Sequence, residues 1–276
     1  MKVGVLGLGY IGMPIASTLH AGGHEVFSWT RNDRKTRWHN STVLSLGKSV
    51  SLDAIVIACG AARPGIGDES TETGSAVSAA RALNLNASTH VYYISSGAVY
   101  GECTKPSAET DIAKPCTEYG HAKLNAEKIL GRTFGDRFSA LRVGNVVDWE
   151  NPYGIFREIS RLSPDKRILN FYGDVNSSRD YLEMNDFVGL VIKTIEADTH
   201  QSILNVGSGN SLTLGLLAEK ISSVTNLEVI INWHKGRSQD VQVTELDTEL
   251  LKLLHGFGHS DFVSQFERYL HNVLTA

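Results

Sequence analysis

A tyrosine and a lysine four residues apart stand at the start of a helical pattern, in Tyr119-Gly120-His121-Ala122-Lys123. Four residues make about one helical turn, so the two side chains share a face. An ammonium beside a phenol stabilises the phenolate and lowers its pKa, which makes the tyrosine a usable proton donor or acceptor. Upstream, Ser95-Ser96-Gly97-Ala98-Val99-Tyr100-Gly101 follows an apolar run, residues 90–94, that reads as a buried strand. A serine hydroxyl at the end of that strand can hydrogen-bond the oxygen that the phenol protonates. These groups suit protonation of a carbonyl oxygen while hydride arrives at its carbon. A Tyr-x-x-x-Lys spacing alone is common, and its bland counterpart is an exposed tyrosine and a solvated lysine on a surface helix. The serine stretch and the glycine-rich start of the chain weigh against that counterpart.

Such chemistry needs a hydride source, and the N-terminus carries a pattern for one. Residues 2–6 form a short apolar run suited to a buried parallel strand. Gly7-Leu8-Gly9-Tyr10-Ile11-Gly12 follows, then a helical stretch to about Ala21 and a second strand over residues 24–29. Strand, Gly-x-Gly-x-x-Gly, helix, strand is the setting that makes a weak glycine pattern a dinucleotide-binding fingerprint. Gly7 makes the tight turn, Gly9 lets the backbone approach a pyrophosphate, and Gly12 packs helix against strand. Tyr10 and Ile11 belong to the same loop, and the free N–H groups of the helix start hold phosphate. Pro14 falls in the first helical turn, where its missing N–H costs little.

The tip of the second strand bears on cofactor choice. It reads Trp29-Thr30-Arg31-Asn32-Asp33, without the acid that usually binds an NAD ribose at the strand's tip. Arg31 can pair with a 2′-phosphate, so NADP(H) is favoured, with NAD(H) as the alternative. Residues 53–58 form a further strand, ending in Ala58-Cys59-Gly60, where small residues let a cofactor come close to the backbone. Val43, Leu44 and Leu46 hint at a short strand, and residues 73–85 read as a small-residue helix. The helix that begins at Tyr119 continues to about Phe134, and residues 137–143 form the next strand. Beyond residue 151 short helices (156–162, 185–197, 212–224) alternate with extended pieces (203–206, 229–233), and Asn185 with Asp186 is expected to cap its helix.

Length and charge bound the rest. The 276 residues suffice for one large α/β domain with a smaller lobe. We divide them into a dinucleotide-binding part, residues 1–150, to whose sheet later segments return, and a mainly substrate-binding lobe, 151–276. The net charge of −4 is mixed along the chain with no basic run, so neither nucleic acid nor an anionic membrane is an expected partner. Three cysteines without Cys-x-x-Cys spacing fit reduced thiols in a cytoplasmic protein. Ten scattered histidines lack ligand spacing, and no metal is expected. No apolar run is long enough to span a bilayer.

Taken in order, these motifs resemble the extended short-chain dehydrogenase/reductase family, specifically its NAD(P)-dependent nucleotide-sugar epimerase/dehydratase branch. The resemblance also rests on Leu141-Arg142-Val143-Gly144-Asn145-Val146, Arg179-Asp180-Tyr181-Leu182-Glu183-Met184-Asn185-Asp186, Asn205-Val206-Gly207-Ser208-Gly209 and Gly236-Arg237-Ser238-Gln239-Asp240. It implies a Rossmann-type doubly wound parallel sheet with a small C-terminal α/β substrate-binding lobe. It also implies Ser96, Tyr119 and Lys123 as catalytic residues, with Lys123 holding the nicotinamide ribose as well. Asn145 falls where the family contacts the sugar nucleotide, and Arg179 and Arg237 where it clamps the diphosphate, a role that suits planar guanidinium forks. Arg142, at an apolar strand end, is equally a structural hydrogen-bonder. Homodimerisation through residues 73–85 and 119–134 is a further implication.

The chain departs from the family's pattern in informative ways. Where family dehydratases carry an Asp-Glu pair after the catalytic Thr, this chain has Gly97 and Ala98, which argues against dehydration. Thr71-Glu72-Thr73-Gly74-Ser75 lacks the asparagine usual before the serine strand. The expected activity is therefore NADP-dependent reduction of a keto group on a nucleotide-linked sugar. An epimerase with retained NAD is the near alternative. A non-catalytic NADP-binding redox sensor is the distant one, because such proteins usually lose the Tyr/Lys pair.

Overall fold

The computed structural model describes residues 1–29, 42–43, 49–59, 76–78, 80–81, 84–163, 165–197, 200–224, 229–236, 243–256 and 261–275. The chain opens with β1 (Lys2–Leu6), α1 (Gly12–Ala21) and β2 (Glu25–Trp29), followed by β3 (Thr42–Val43) and β4 (Ser49–Val50). Next come β5 (Ala54–Ile57), β6 (Asn84–Leu85), β7 (His90–Ile94), α2 (Glu118–Phe134), β8 (Phe138–Val143) and β9 (Asn145–Val147). The remainder is α3 (Ile155–Ile159), β10 (Ile168–Tyr172), β11 (Ser178–Glu183), α4 (Met184–Glu196), β12 (Ile203–Val206), β13 (Ser211–Thr213), α5 (Leu214–Val224), β14 (Ile230–His234), α6 (Glu249–His255) and α7 (Phe262–Thr275).

Seven strands form the main sheet in the order β12-β8-β7-β5-β1-β2-β3, and every pairing from β3 through β8 is parallel. Counted within the sheet, the order is that of a doubly wound fold, reversing direction between β1 and β5. Three adjacent strands are largely apolar runs: β5, β7 and β8 are buried at every position. Parallel strands covered on both faces require such runs. Sheet residues Leu6, Ile55, Ile57, Val91, Tyr93 and Ala140 share one core with Ala126 and Leu130 of α2 and with Ala76 and Ala80. The small side chains let these helical segments approach the sheet closely. This is the Rossmann-type α/β class expected from the glycine fingerprint.

Most expected elements are present among the described residues, though α3 ends at Ile159, residues 212–213 belong to β13, and Leu44 and Leu46 lie outside the described residues. Residues 76–78 and 80–81 are helical, but Asn84 and Leu85 leave the expected helix and form β6, paired in parallel with β4. Asparagine is a poor helix former, and the strand pairing supplies its backbone with partners. Helix α4 begins one residue early, and Glu183 rather than Asn185 or Asp186 caps it, accepting hydrogen bonds from the N–H groups of both.

Contacts divide the chain into two units: residues 1–99, 118–143 and 188–204, and residues 100–117, 144–187 and 205–276. The second unit contains the sheet β13-β11-β9 and the pair β10-β14. Its core is aromatic: Trp149 packs on Phe156, Phe262, Phe266 and Tyr269, and Phe156 stands edge-on to Tyr181. Asp180, in the middle of β11, is the polar hub of this unit. Its buried carboxylate accepts from the Ser208 N–H and hydroxyl, the Gly209 N–H and the Leu246 N–H. Burial pushes its pKa up to about 6, while those donors pull the other way. Fully buried Asn205 accepts from the Tyr100 hydroxyl and donates to the Ser107 and Asp247 carbonyls. Among the described residues no helix is long and apolar enough to cross a membrane.

Candidate active site

The loops after β1, β5 and β7, at the carboxyl ends of three adjacent strands, carry most of the residues singled out from the sequence in this unit. Open α/β sheets bind ligands at that end, where strand order reverses. Gly7 has φ +94°, a conformation side chains rarely adopt, and a Cβ there would lie 2.8 Å from the Cys59 backbone. The turn after β1 therefore rests directly on the end of β5, where Ala58 donates its N–H to Leu6. At Gly12 a Cβ would collide with the Gly7 carbonyl oxygen, so the first turn of α1 is seated on the loop. Gly9 differs: a Cβ there would have no neighbour within 4 Å. Open space above Gly9, tight packing beneath Gly7 and Gly12, and an Ile11 N-cap without a side-chain capping bond form a cradle that fits a dinucleotide pyrophosphate. Tyr10 and Ile11 are half-buried in this loop. Arg31 and Gly60 lie outside the described residues.

The catalytic candidates belong to the same unit. Ser96 is half-buried just beyond β7, and its Oγ accepts the Ala98 N–H at 3.2 Å, within a tight turn formed by Gly97–Val99. Tyr119 lies half-buried in the first turn of α2, and Lys123 is buried one turn further on. The Lys123 ammonium donates to the Ile94 carbonyl at 3.0 Å and stands 5.8 Å from the centre of the Tyr119 ring. That bond ties the helix face carrying Tyr119 and Lys123 to the strand end that leads into Ser96.

Two further groups here were not singled out from the sequence. The Tyr93 ring is buried in β7, with the Lys123 ammonium 5.0 Å from its centre. Burial pushes the Tyr93 phenol up to about 12, although the Lys123 charge pulls it down. Tyr93 therefore stays neutral, and the lysine lies near two phenol rings. Beneath them Glu127 is buried on α2 and takes two hydrogen bonds from Arg142, Nε at 3.2 Å and Nη2 at 2.9 Å. Ser95 Oγ donates to the same carboxylate. Arg142 is thus the structural hydrogen-bonder allowed for above. The available signal was spacing, since Glu127 lies four residues beyond Lys123 and eight beyond Tyr119.

In the second unit Asn145 opens β9, in parallel register with Tyr181 of β11. Arg179 is half-buried on β11, and its Nη1 donates to the Ser178 carbonyl at 2.8 Å. Arg237 lies outside the described residues. Among the described residues no three His, Cys, Asp or Glu side chains gather to hold a metal, and Cys59, Cys103 and Cys116 are free thiols.

Residues 3–207 match the model of the NAD dependent epimerase/dehydratase family, and the chain belongs to that family. It is 29% identical over 157 residues to the dTDP-4-dehydro-6-deoxyglucose reductase of Escherichia coli, across 52% of this chain and 48% of that enzyme. It is 26% identical over 196 residues to the UDP-glucose 4-epimerase of Lacticaseibacillus casei, across 62% of this chain and 56% of that enzyme. The matches thus span about half the length of these curated relatives. Among solved structures, a Bacillus cereus UDP-glucuronic acid 4-epimerase variant superposes with a TM-score of 0.81 at 17% identity, covering 100% of this chain and 99% of that one. That likeness supports the fold.

Proposed function

We propose that the protein is an NADP-dependent oxidoreductase that reduces a keto group of a nucleotide-linked sugar. The observation that carries this reading is the buried Lys123 ammonium, anchored to the Ile94 carbonyl beside the Tyr119 ring. The nicotinamide, when bound, supplies the hydride. Tyr119 donates its phenolic proton to the carbonyl oxygen, and the Ser96 hydroxyl holds that oxygen by a hydrogen bond. The Lys123 charge stabilises the phenolate left behind until solvent returns the proton. Carbonyl, hydride and proton balance to an alcohol. Gly97 and Ala98 follow Ser96 without a carboxylate, which leaves no acid–base pair there for dehydration. In the second unit Asn145, Arg179 and Arg237 are the proposed contacts to the sugar nucleotide.

The resemblance to the E. coli reductase supports this direction of chemistry, and Arg31 supports NADP over NAD. The family likeness further supports a homodimer joined through residues 73–85 and α2, and the sparse cysteines support a cytoplasmic location. A second reading, an epimerase that oxidises and re-reduces one sugar on a retained NAD, draws on the L. casei relative. The test is to denature the purified protein, identify any released nucleotide by mass spectrometry, and titrate fresh protein with NADPH and NADH. An empty protein that prefers NADPH and then oxidises it with a keto-sugar nucleotide is the expected result. Near-stoichiometric bound NAD would overturn the reductase in favour of the epimerase.

A further inference from the structure

We propose that Glu127 is a positioning residue for the reaction, holding the helix that carries Tyr119 and Lys123 in register with the strand end that carries Ser96. The proposal rests on the oxidoreductase reading above, and it concerns groups that do not touch substrate. Tyr119, Lys123 and Glu127 are spaced four residues apart on α2, so they form one stripe along its inner face. The last two are buried. At the inner end of the stripe the Glu127 carboxylate joins three elements. It sits on α2, receives Ser95 from the end of β7, and receives Arg142 from the end of β8 through two bonds. Ser95 is the residue immediately before Ser96, and its own N–H is held by the Leu141 carbonyl beside Arg142. One turn up the stripe, Lys123 reaches the carbonyl of Ile94, the residue immediately before Ser95. Helix rotation and strand end are thereby locked by two consecutive contacts.

An apolar core would hold these elements together as firmly. Taking Arg142 and Glu127 out of water cancels much of their mutual attraction, and buried ion pairs replaced by well-packed apolar residues often leave stability unchanged or improved. What an apolar contact does not supply is direction. Leucine packs over a range of helix rotations, whereas a carboxylate with an Arg fork on one side and a serine hydroxyl on the other fits one. The Glu127 network is therefore suited to setting geometry, and the geometry nearest to it is that of Ser96 and Lys123.

The test separates geometry from stability. Glu127→Gln removes the carboxylate charge that pairs with Arg142 and is expected to lower the melting temperature, so it does not decide the matter alone. The deciding variants are the double replacement Glu127→Leu with Arg142→Leu, which removes both charges together, and Ser95→Ala, which leaves the ion pair in place. Both are expected to melt close to the wild type while kcat falls by about 10–100-fold with little change in KM. Ser95→Thr is expected to recover part of the loss.

A readout without substrate runs in parallel: the ultraviolet phenolate signal of Tyr119, isolated by subtracting the Tyr119→Phe spectrum in each background. Its midpoint is expected to rise by about one pH unit when Lys123 is no longer held. Wild-type kcat and an unmoved phenolate midpoint in the well-folded double variant would overturn the proposal and leave the network a plain packing element. If the wild type reduces no keto-sugar nucleotide, the reductase reading fails. The phenolate titration then still decides the role of Glu127, an unmoved midpoint refuting it and a raised one upholding it.

Discussion

Replacing Tyr119 with Phe removes one oxygen from the first turn of α2 and leaves a ring of the same size beside Lys123. If that oxygen delivers the proton, kcat falls by about 10²–10⁴-fold while NADPH binding, followed by fluorescence, barely changes. Retained turnover would remove Tyr119 from the mechanism. The glycines allow a sharper contrast. A Cβ at Gly9 meets no protein atom within 4 Å, so Gly9→Ala should keep the melting temperature and weaken only cofactor binding. A Cβ at Gly12 runs into the Gly7 carbonyl, so Gly12→Ala should lose both, at a folding cost of about 1–3 kcal/mol. Equal effects of the two substitutions on stability and binding would show that the open space over Gly9 is not where the cofactor lies.

At the scale of elements, β11 carries two buried carboxylates with different tasks. Glu183 caps α4, so Glu183→Ala should destabilise the protein by about 1 kcal/mol in urea unfolding. No change in the midpoint would mean that Asn185 or Asp186 takes over the cap. Asp180 has a pH signature. Its pKa is raised by burial from 3.8 to about 6 in the folded protein, so the fold binds its proton more tightly than the unfolded chain does. The resulting contribution is fully present below pH 3.8 and is lost as pH rises through 6. It amounts to something on the order of 3 kcal/mol. Asp180→Asn cannot titrate, so the stability of wild type relative to this variant should decline across that interval and level off above it. A flat difference would show that the four donors to Asp180 hold it ionised throughout.

For the whole molecule, the seven-stranded order and the family match agree on architecture, while cofactor, substrate and assembly remain matters of binding. The proposed homodimer should appear in sedimentation as a species of twice the 30.1 kDa chain mass, and a monomer at working concentrations would refute it.

What the sequence by itself determined was local. Gly7, Gly9 and Gly12 specify a turn whose conformation depends on a few consecutive residues, and the apolar runs of β5, β7 and β8 announce burial on both faces. The four-residue interval between Tyr119 and Lys123 places both on one helical face whatever surrounds them. Element ends were less legible: β6 and the Glu183 cap are settled by hydrogen bonds that several neighbouring residues are equipped to make. Only the tertiary structure decided what the inner face of α2 would meet. Ser95 lies 32 residues from Glu127 along the chain, and Arg142 lies 15 residues beyond it. Asp180 likewise finds its donors 28 to 66 residues away. Periodicity says which residues turn inward, but a buried charge is matched by whichever partner the folded chain brings within about 3 Å, and that depends on the packing of whole elements.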